Sequence, residues 1–305
     1  MTKSPPVRRA PSALPIARSI GLPTVLLATI LVAACGGTGS PGPSGSPGTS
    51  PEPTGTQGAI EHPSGPTDVV LRFEEGGGLM AFGALAGQAP TFTLYGDGTA
   101  IFRDWTQQQP PAVGDVLPQL PFQIVRLTED QVQELLAFAV GPGGLDVARQ
   151  AYDPGNVADA ATAIFTITAG GITKNVSVVA LGFDNPQSPD ALILKQLASL
   201  GERLRGFSAP GTAIWAPDRY RGILSEDAFG NPRDWPWTAI APADFKPLQL
   251  PTGMSWNART MTAAEVGALG LEGIEGGFLN LVLHGPGDGK VYSFTLRPLL
   301  PDEAA

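Results

Sequence analysis

The chain has 305 residues, with 19 Lys and Arg against 28 Asp and Glu, and its formal net charge is −9. It contains one cysteine and two histidines, which excludes an intramolecular disulfide and leaves too few ligands for a zinc site made of Cys and His. The acidic balance, without a basic stripe, argues against nucleic acid as a partner, and no motif indicates a cofactor.

The first element is an N-terminal leader. Four basic residues precede an apolar run over 20–32, and Ala33-Ala34-Cys35 follows. This is the layout of a secretory signal, and its end on a cysteine resembles the lipobox of bacterial lipoproteins. In that family the cysteine is acylated and becomes the first residue of the mature chain. The resemblance implies a signal peptide over 1–34, lipidation of Cys35 and a lipid anchor on the outer face of the cell membrane.

Two other interpretations of the leader fit less well. A transmembrane helix would have only the 16 residues 19–34, with Pro23 among them, where about 20 are needed. An ordinary cleaved signal would leave the position of Cys35 to chance. Arg8-Arg9 favours twin-arginine export only slightly, because Ala10 and Pro11 follow the pair where apolar residues are expected.

Residues 35–66 are predicted to form the acylated cysteine and a disordered tether. Nearly every residue over 36–66 is Gly, Ser, Pro or Thr, so the segment has too little apolar surface to offset its ordering entropy. His62 lies in the tether and is expected to be exposed and without a role. Residues 67–305 are long enough for two domains, predicted over 67–207 and 208–305.

The first folded elements are predicted to be strands. Apolar residues alternate over 68–74, which indicates a half-buried strand. A hairpin follows over 92–103, and a three-residue loop with Gly98 in the left-handed conformation would pair Phe92 with Phe102. This register places the apolar residues on one face.

A helix and a second hairpin come next. Thr128 and Gln131 form a predicted capping box at the start of a helix that ends near 141–142. Two alternating strands flank Gly170-Gly171, and a second helix is predicted from 188 to 206 with Pro189 at its first helical position.

The last third repeats part of this order. Thr262 and Glu265 form another predicted capping box, and a hairpin turns at 287–289. The segment 262–297 therefore repeats the helix and hairpin of 128–181, by internal duplication or by convergence. The predicted fold class is α+β, with two small antiparallel sheets each backed by helices.

Several short segments carry a second resemblance. They are 92–99, 127–136, 157–160, 164–168 and 297–303. These segments resemble uncharacterised cell-envelope lipoproteins of high-GC Gram-positive-like bacteria, and 67–207 also resembles a small bacterial domain family of unknown function. The resemblance implies placement at the cell surface and implies no catalytic residues.

Few residues are candidates for catalysis. His284 is expected at a strand end facing away from the apolar stripe, and no Gly-x-Ser-x-Gly motif occurs. The adjacent acidic pairs are Glu74-Glu75, Glu129-Asp130, Glu226-Asp227 and Asp302-Glu303. Because a glycosidase takes its two carboxylates from distant positions, a carboxylate-dependent hydrolase remains open.

Two binding sites are considered. Asp153, Asn156 and Asp159 supply oxygen atoms that could hold calcium, or else they form an Asx-turn loop, since their spacing differs from that of an EF-hand. A group of tryptophans in a Pro-rich stretch could stack on a ligand or could fill a core between domains. These are Trp215, Trp235, Trp237 and Trp256.

The sequence thus predicts a membrane-anchored extracytoplasmic lipoprotein whose folded part binds an envelope ligand or protein without catalysis. The alternatives are a carboxylate-dependent envelope hydrolase and a structural spacer.

Overall fold

The computed structural model describes residues 58–303 apart from 81, 156, 184–185, 227, 229 and 250–254. The described residues belong to one compact unit, Gly55–Ala305. The predicted signal peptide, Cys35 and most of the tether lie outside the described residues. Within the described part, no helix is both long enough and apolar enough to cross a membrane.

Strands make up most of the regular structure. In chain order they are β1 (Val69–Gly77), β2 (Phe92–Tyr95), β3 (Thr99–Arg103), β4 (Leu117–Pro118), β5 (Phe122–Arg126), β6 (Ala151–Tyr152), β7 (Ala161–Ala169), β8 (Ile172–Val179), β9 (Ala213–Ile214), β10 (Arg219–Ser225), β11 (Lys246–Gln249), β12 (Ser255–Thr262), β13 (Phe278–His284) and β14 (Val291–Pro298). They form an eight-stranded sheet in the order β6-β8-β7-β1-β2-β3-β5-β9 and a six-stranded sheet in the order β11-β12-β10-β14-β13-β4. We call these the first and the second sheet.

The described helices are few. They are α1 (Phe82–Ala86), α2 (Glu129–Val140), α3 (Ala191–Arg205) and α4 (Ala263–Gly267), with a 3-10 turn over Pro242–Asp244. Both predicted capping boxes are present, at Thr128 with Gln131 and at Thr262 with Glu265. The helix predicted from 188 begins later, with Asp190 at its N-cap, so Pro189 precedes the helix.

The first hairpin has the predicted register. Phe92 pairs with Phe102 and Leu94 with Ala100, and Gly98 has a φ of 86°. The second hairpin, β7 and β8, turns at Gly170 and Gly171, as predicted. In β13 a bulge at Asn280, whose φ is 65°, moves Leu279 out of the predicted apolar stripe, so Leu279 is only partly buried.

The two faces of the first sheet have different surroundings. One face packs against α2 and α3, where Leu71 and Phe73 of β1 meet Leu136 and Leu200 in the main core. Because successive side chains of a strand point to opposite faces, Arg72 and Glu74 lie on the other side. That side packs against the C-terminal segment, including Leu300.

The predicted α+β class is wrong, because the protein is mostly β. Only the first sheet is backed by helices of 12 and 15 residues, whereas the second sheet has the five-residue α4. The strands β10, β11 and β12 lie in the stretch 208–262. Prolines and tryptophans there interrupt the alternation of apolar and polar residues that predicts a strand.

Both predicted units of a helix followed by a hairpin are present, as α2 with β7 and β8 and as α4 with β13 and β14. Their settings differ. The helix α2 has 12 residues and α4 has five. The first strand of one hairpin, β7, pairs with β1, whereas the second strand of the other, β14, pairs with β10. Similar local signals therefore belong to different tertiary settings.

Strands cross the predicted boundary at 207/208 in both directions. The strand β4 pairs with β13 in the second sheet, and β9 pairs with β5 in the first. No observation tests whether the two parts fold separately, so the division into 67–207 and 208–305 stays a prediction.

The end of the predicted tether lies against the first sheet. The side chain of Gln133 donates to Ile60 O at 2.9 Å and accepts from Ile60 N at 2.7 Å, and Gly170 N donates to Glu61 O at 2.7 Å. The ring of His62, expected to be exposed, is only 10% exposed and contacts Glu129 at 3.3 Å. We call residues 60–63 with Gln133 the clasp.

Candidate functional site

An enclosed surface cleft lies between β6, the end of β8 and the start of α3. Its volume is about 370 Å³. We call it the α3 cleft, and its walls include Tyr152, Asp153, Val178, Phe183, Ser188, Asp190 and Leu194. Its walls are about equally polar and apolar, and its volume is within the range of sites for small ligands.

One strand pairing and two turns form the cleft. The strand β6 pairs in parallel with β8, which places Tyr152 opposite Val178. Ala180, with a φ of 55°, turns the chain away after β8. The hydroxyl of Ser188 accepts from Asp190 N at 3.2 Å and so shapes the entry into α3. The cleft thus depends on segments that are distant in sequence.

The rim of the cleft carries two acidic residues, Asp153 and Asp190, with Arg149 beside them. The guanidinium of Arg149 lies 4.7 Å from the ring centre of Tyr152 and forms an ion pair with Asp190. Asp153 Oδ1 accepts from Gly155 N at 2.7 Å. Neither of the two histidines is among the cleft's lining residues. The arrangement can hold a ligand.

A second cleft, also of about 370 Å³, has two acidic residues in its wall. Glu226 forms an ion pair with Lys290 at 2.7 Å, and Asp288 accepts from the hydroxyl of Tyr292 at 2.6 Å. That hydrogen bond lowers the pKa of Asp288. A glycosidase needs one acid whose pKa is raised so that it can donate a proton, and Asp288 is shifted in the opposite direction.

The most unusual feature of the interior is a set of charged side chains between the two sheets. We call it the inter-sheet layer, and it contains Arg72, Glu74, Arg103, Arg221, Arg297, Asp302 and Glu303. The strand residues among them alternate with core residues of β1, β3, β10 and β14, so the pleat of each strand directs them to this face.

Ion pairs hold the C-terminal segment in this layer. Asp302 Oδ1 accepts from Arg72 Nη2 and from the hydroxyl of Tyr95, each at 2.6 Å. Glu303 accepts from both terminal nitrogens of Arg297, at 2.6 and 2.8 Å. These contacts connect β1 of the first sheet with β14 of the second through the last described residues.

Burial and charge shift the pKa values of the layer. Burial raises the pKa of Glu74, and the charge of Arg72 opposes this shift. Burial also acts on Glu303, but the hydrogen bonds and charge of Arg297 outweigh it, so the pKa of Glu303 is lowered. The two carboxyl groups lie in one layer and respond to it in opposite directions.

The predicted tryptophans do not share a surface. Trp235 and Trp237 meet at 5.2 Å between ring centres inside the core of the second sheet. Their indole nitrogens donate to Ile240 O at 2.6 Å and to Glu265 O at 2.7 Å. Each indole N–H therefore has a hydrogen-bond acceptor, as expected for tryptophans in a core.

The other two predicted tryptophans pack elsewhere. Trp256 is 6% exposed and lies with Ala86 and Ile223 in a small cluster on the other face of the second sheet. Trp215 packs edge-on against Phe122 at 5.9 Å. The alternative that the tryptophans fill the core agrees with this placement.

In the part of the chain that the structure describes, the predicted calcium ligands do not converge on one site. Asp153 binds Gly155 N in an Asx turn, and Asn156 lies outside the described residues. Asp159 has a φ of 54°, and its carbonyl oxygen accepts from Leu79 N. Over the part of the chain that the structure describes, three or more acidic, His or Cys side chains nowhere converge as a metal site would require.

His284 ends β13 and is exposed, as its position in the sequence predicted. The sequence analysis did not predict the α3 cleft or the inter-sheet layer. A signal for the layer exists, since Arg72, Glu74, Arg221 and Arg297 occupy strand positions that alternate with buried apolar residues. Such charges need partners when a second sheet covers them.

The chain matches no protein-family model, and neither curated proteins nor solved structures give a match.

Proposed function

We propose that the protein is an extracytoplasmic lipoprotein, anchored to the outer face of the cell membrane through acylated Cys35, and that its folded part binds an envelope ligand or protein without catalysis. The basic leader, the apolar run and Ala33-Ala34-Cys35 support the anchor. Two acyl chains give stable attachment, because each buried methylene contributes about 0.8 kcal/mol.

The α3 cleft is the observation that carries the binding function. It joins an aromatic and aliphatic wall, with Phe183 half exposed, to the acidic rim of Asp153 and Asp190. An apolar group that bears a positive charge matches both features, because the wall removes its apolar surface from water and Asp153, which is not engaged by Arg149, supplies the opposite charge.

A capture experiment tests the binding function. The full-length protein is expressed in its host, cross-linked in intact envelopes and purified, and bound molecules are identified by mass spectrometry. Phe183→Ser removes the aromatic part of the wall and is expected to abolish capture, whereas Leu79→Ser, at a residue that is 86% exposed elsewhere, should leave it unchanged. Equal capture by both variants would show that the cleft is not the site.

The anchor has its own test. Labelled fatty acid should be incorporated into the wild-type chain and not into Cys35→Ala. Label in the Cys35→Ala variant, or an intact leader in the mature wild-type protein, would contradict lipidation at this residue.

A further inference from the structure

The clasp gives His62 a partner at each of its ring nitrogens. The Nδ1 atom lies 2.7 Å from Pro63 O, and the Nε2 atom lies 3.3 Å from Glu129 Oε1. A backbone carbonyl and an ionised carboxylate only accept hydrogen bonds. An imidazole donates from both nitrogens only when it is protonated, because the neutral ring carries one N–H and one lone pair. The surroundings of His62 therefore fit the imidazolium cation better than the neutral ring.

Glu129 is the acceptor that connects His62 with the rest of the clasp. Its Oε1 atom also accepts from Gln133 Nε2, at 2.7 Å. The hydrogen bonds from Gln133 and His62 lower the pKa of Glu129, so this carboxylate is ionised at neutral pH. A neutral His62 would turn a lone pair toward either Glu129 or Pro63 O. Either arrangement loses a hydrogen bond and places two acceptors in contact.

The side chain of Gln133 holds the end of the tether. It binds both backbone polar atoms of Ile60, at 2.7 and 2.9 Å. Loss of the imidazolium therefore disturbs the carboxylate that orients Gln133, and through it the contact with Ile60.

The other charged groups around the clasp do not contact the ring. Among the described residues, only Glu129 forms an ion pair with His62. The turn that receives Glu61 consists of Gly170 and Gly171, so it adds no charge. The remaining charged side chains nearby are Glu61 and Asp68 in the same segment, Asp130 of α2, and Asp97 and Arg126, which pair with each other. Imidazole changes its charge between pH 5 and 8, whereas carboxylates titrate below this range.

We propose that the clasp is a pH-dependent switch at the end of the tether. At pH 5 the imidazolium of His62 holds residues 60–63 against α2, and toward pH 8 the neutral ring weakens this contact, so the segment detaches more often. Detachment adds residues 58–63 to the tether, which is about 20 Å of extended chain. The effect on the reach of the folded part rests on the proposed anchor, whereas the switch itself does not.

Hydrogen exchange as a function of pH tests the switch. The protein purified from its host is exchanged between pH 5 and pH 8, and each rate is divided by that of an unstructured chain at the same pH. The protection of the Ile60 and Gly170 amides should fall about fivefold over this range, which is the size of effect that one partly exposed ion pair gives. Protection that stays constant, or that increases with pH, would overturn the proposal.

Two pairs of variants locate the effect. His62→Gln carries no titratable group and should remove the pH dependence at Ile60, whereas His284→Gln, at the exposed end of β13, should keep it. Glu129→Gln presents an amide that can donate to a neutral ring, so protection at pH 8 should no longer be lower than at pH 5. Asp130→Asn, at the next position of α2, is its matched control and should behave as the wild type. A pH dependence that persists in His62→Gln would contradict the assignment.

The switch and the anchor fail in different ways. Constant protection at Ile60 in a protein that carries the lipid would refute the switch alone. A protein without lipid at Cys35 whose protection still falls with pH would refute the anchor and leave the switch in place.

Discussion

Glu74 and Glu75 are adjacent in the sequence, and their surroundings differ completely. Because successive side chains of β1 point to opposite faces, Glu75 reaches Arg205 of α3 while Glu74 lies in the inter-sheet layer. Glu75 accepts two hydrogen bonds from Arg205, at 2.6 and 3.0 Å. Glu74 is partly buried near Arg72, and none of the described residues forms an equivalent pair with it. The same residue type therefore has different effects on stability at the two positions.

Glu74→Gln is expected to raise the free energy of unfolding at pH 7 and to make it depend less on pH. The folded pKa of Glu74 lies above its ordinary value of 4.5, so the folded state binds this proton more tightly than the unfolded chain. Its contribution is fully present below about pH 4.5 and is lost as the pH rises through the folded pKa. A glutamine stays neutral at every pH. Urea unfolding from pH 4 to pH 8 measures the effect.

Glu75→Gln is the control for this prediction. It removes a half-exposed ion pair and should lower the free energy of unfolding by about 1 kcal/mol at pH 7. If Glu74→Gln lowers stability at pH 7 as much as Glu75→Gln does, Glu74 does not have a raised pKa.

Gly98 illustrates a residue whose conformation and contacts both require glycine. Its φ is 86°, and a Cβ atom there would lie 2.8 Å from Leu127 O. Gly171 has a similar φ of 74° but open space around it. Alanine at either position should cost about 1 kcal/mol for the left-handed backbone, and Gly98→Ala should cost at least that much again. Equal losses in urea unfolding would show that the contact with Leu127 is unimportant.

At the scale of elements, local signals predicted the helix starts better than the strands. The capping boxes at Thr128 and Thr262 depend on residues only three apart, so tertiary structure hardly affects them. The two-residue strands β4, β6 and β9 have no such local signal. They exist because a sheet edge is available to pair with them.

The clasp determines where the tether leaves the folded part. Gln133→Ala removes both hydrogen bonds to Ile60 and should release residues 58–63 without unfolding α2, because alanine favours helix. Hydrogen exchange should increase at Ile60 and Gly170, whereas the rest of the first sheet stays protected. Glu134→Ala, on the exposed side of the same helix, should leave the clasp protected. Unchanged exchange in Gln133→Ala would show that the core contacts of Ile60 hold the clasp by themselves.

At the scale of the whole molecule, the inter-sheet layer connects the two sheets. So do β4, which comes from the first predicted domain but pairs in the second sheet, and β9, which does the reverse. Leu300 packs against Tyr95 and Ile101 of the first sheet, and Asp302 pairs with Arg72. The last described residues thus complete a face of the first sheet whose own residues come much earlier in the chain.

The fragment 58–207, which contains the predicted first domain, is therefore expected to be unstable. It lacks β9 and Leu300, and it leaves Arg72 without its acid on a face that is buried in the whole chain. The full chain should unfold in one transition when followed by tryptophan fluorescence and by circular dichroism. A fragment that unfolds at the same urea concentration as the full chain would instead support two independent domains.

The sequence by itself determined the features that depend on near neighbours. These include the hairpin register at Gly98 and both capping boxes. Each rests on residues a few positions apart, so chain connectivity brings the interacting groups together.

Only the tertiary structure decided the fold class, the α3 cleft and the partners of the charged residues. Sequence periodicity shows that Arg72 and Arg103 lie on the polar face of a strand, but it does not show what covers that face. The second sheet and the C-terminal segment cover it, and this turns ordinary surface charges into a buried layer in which Arg72 pairs with Asp302, while no described acid pairs with Arg103. The physical reason is that the free energy of a charge depends on its solvation and on partners that are distant along the chain.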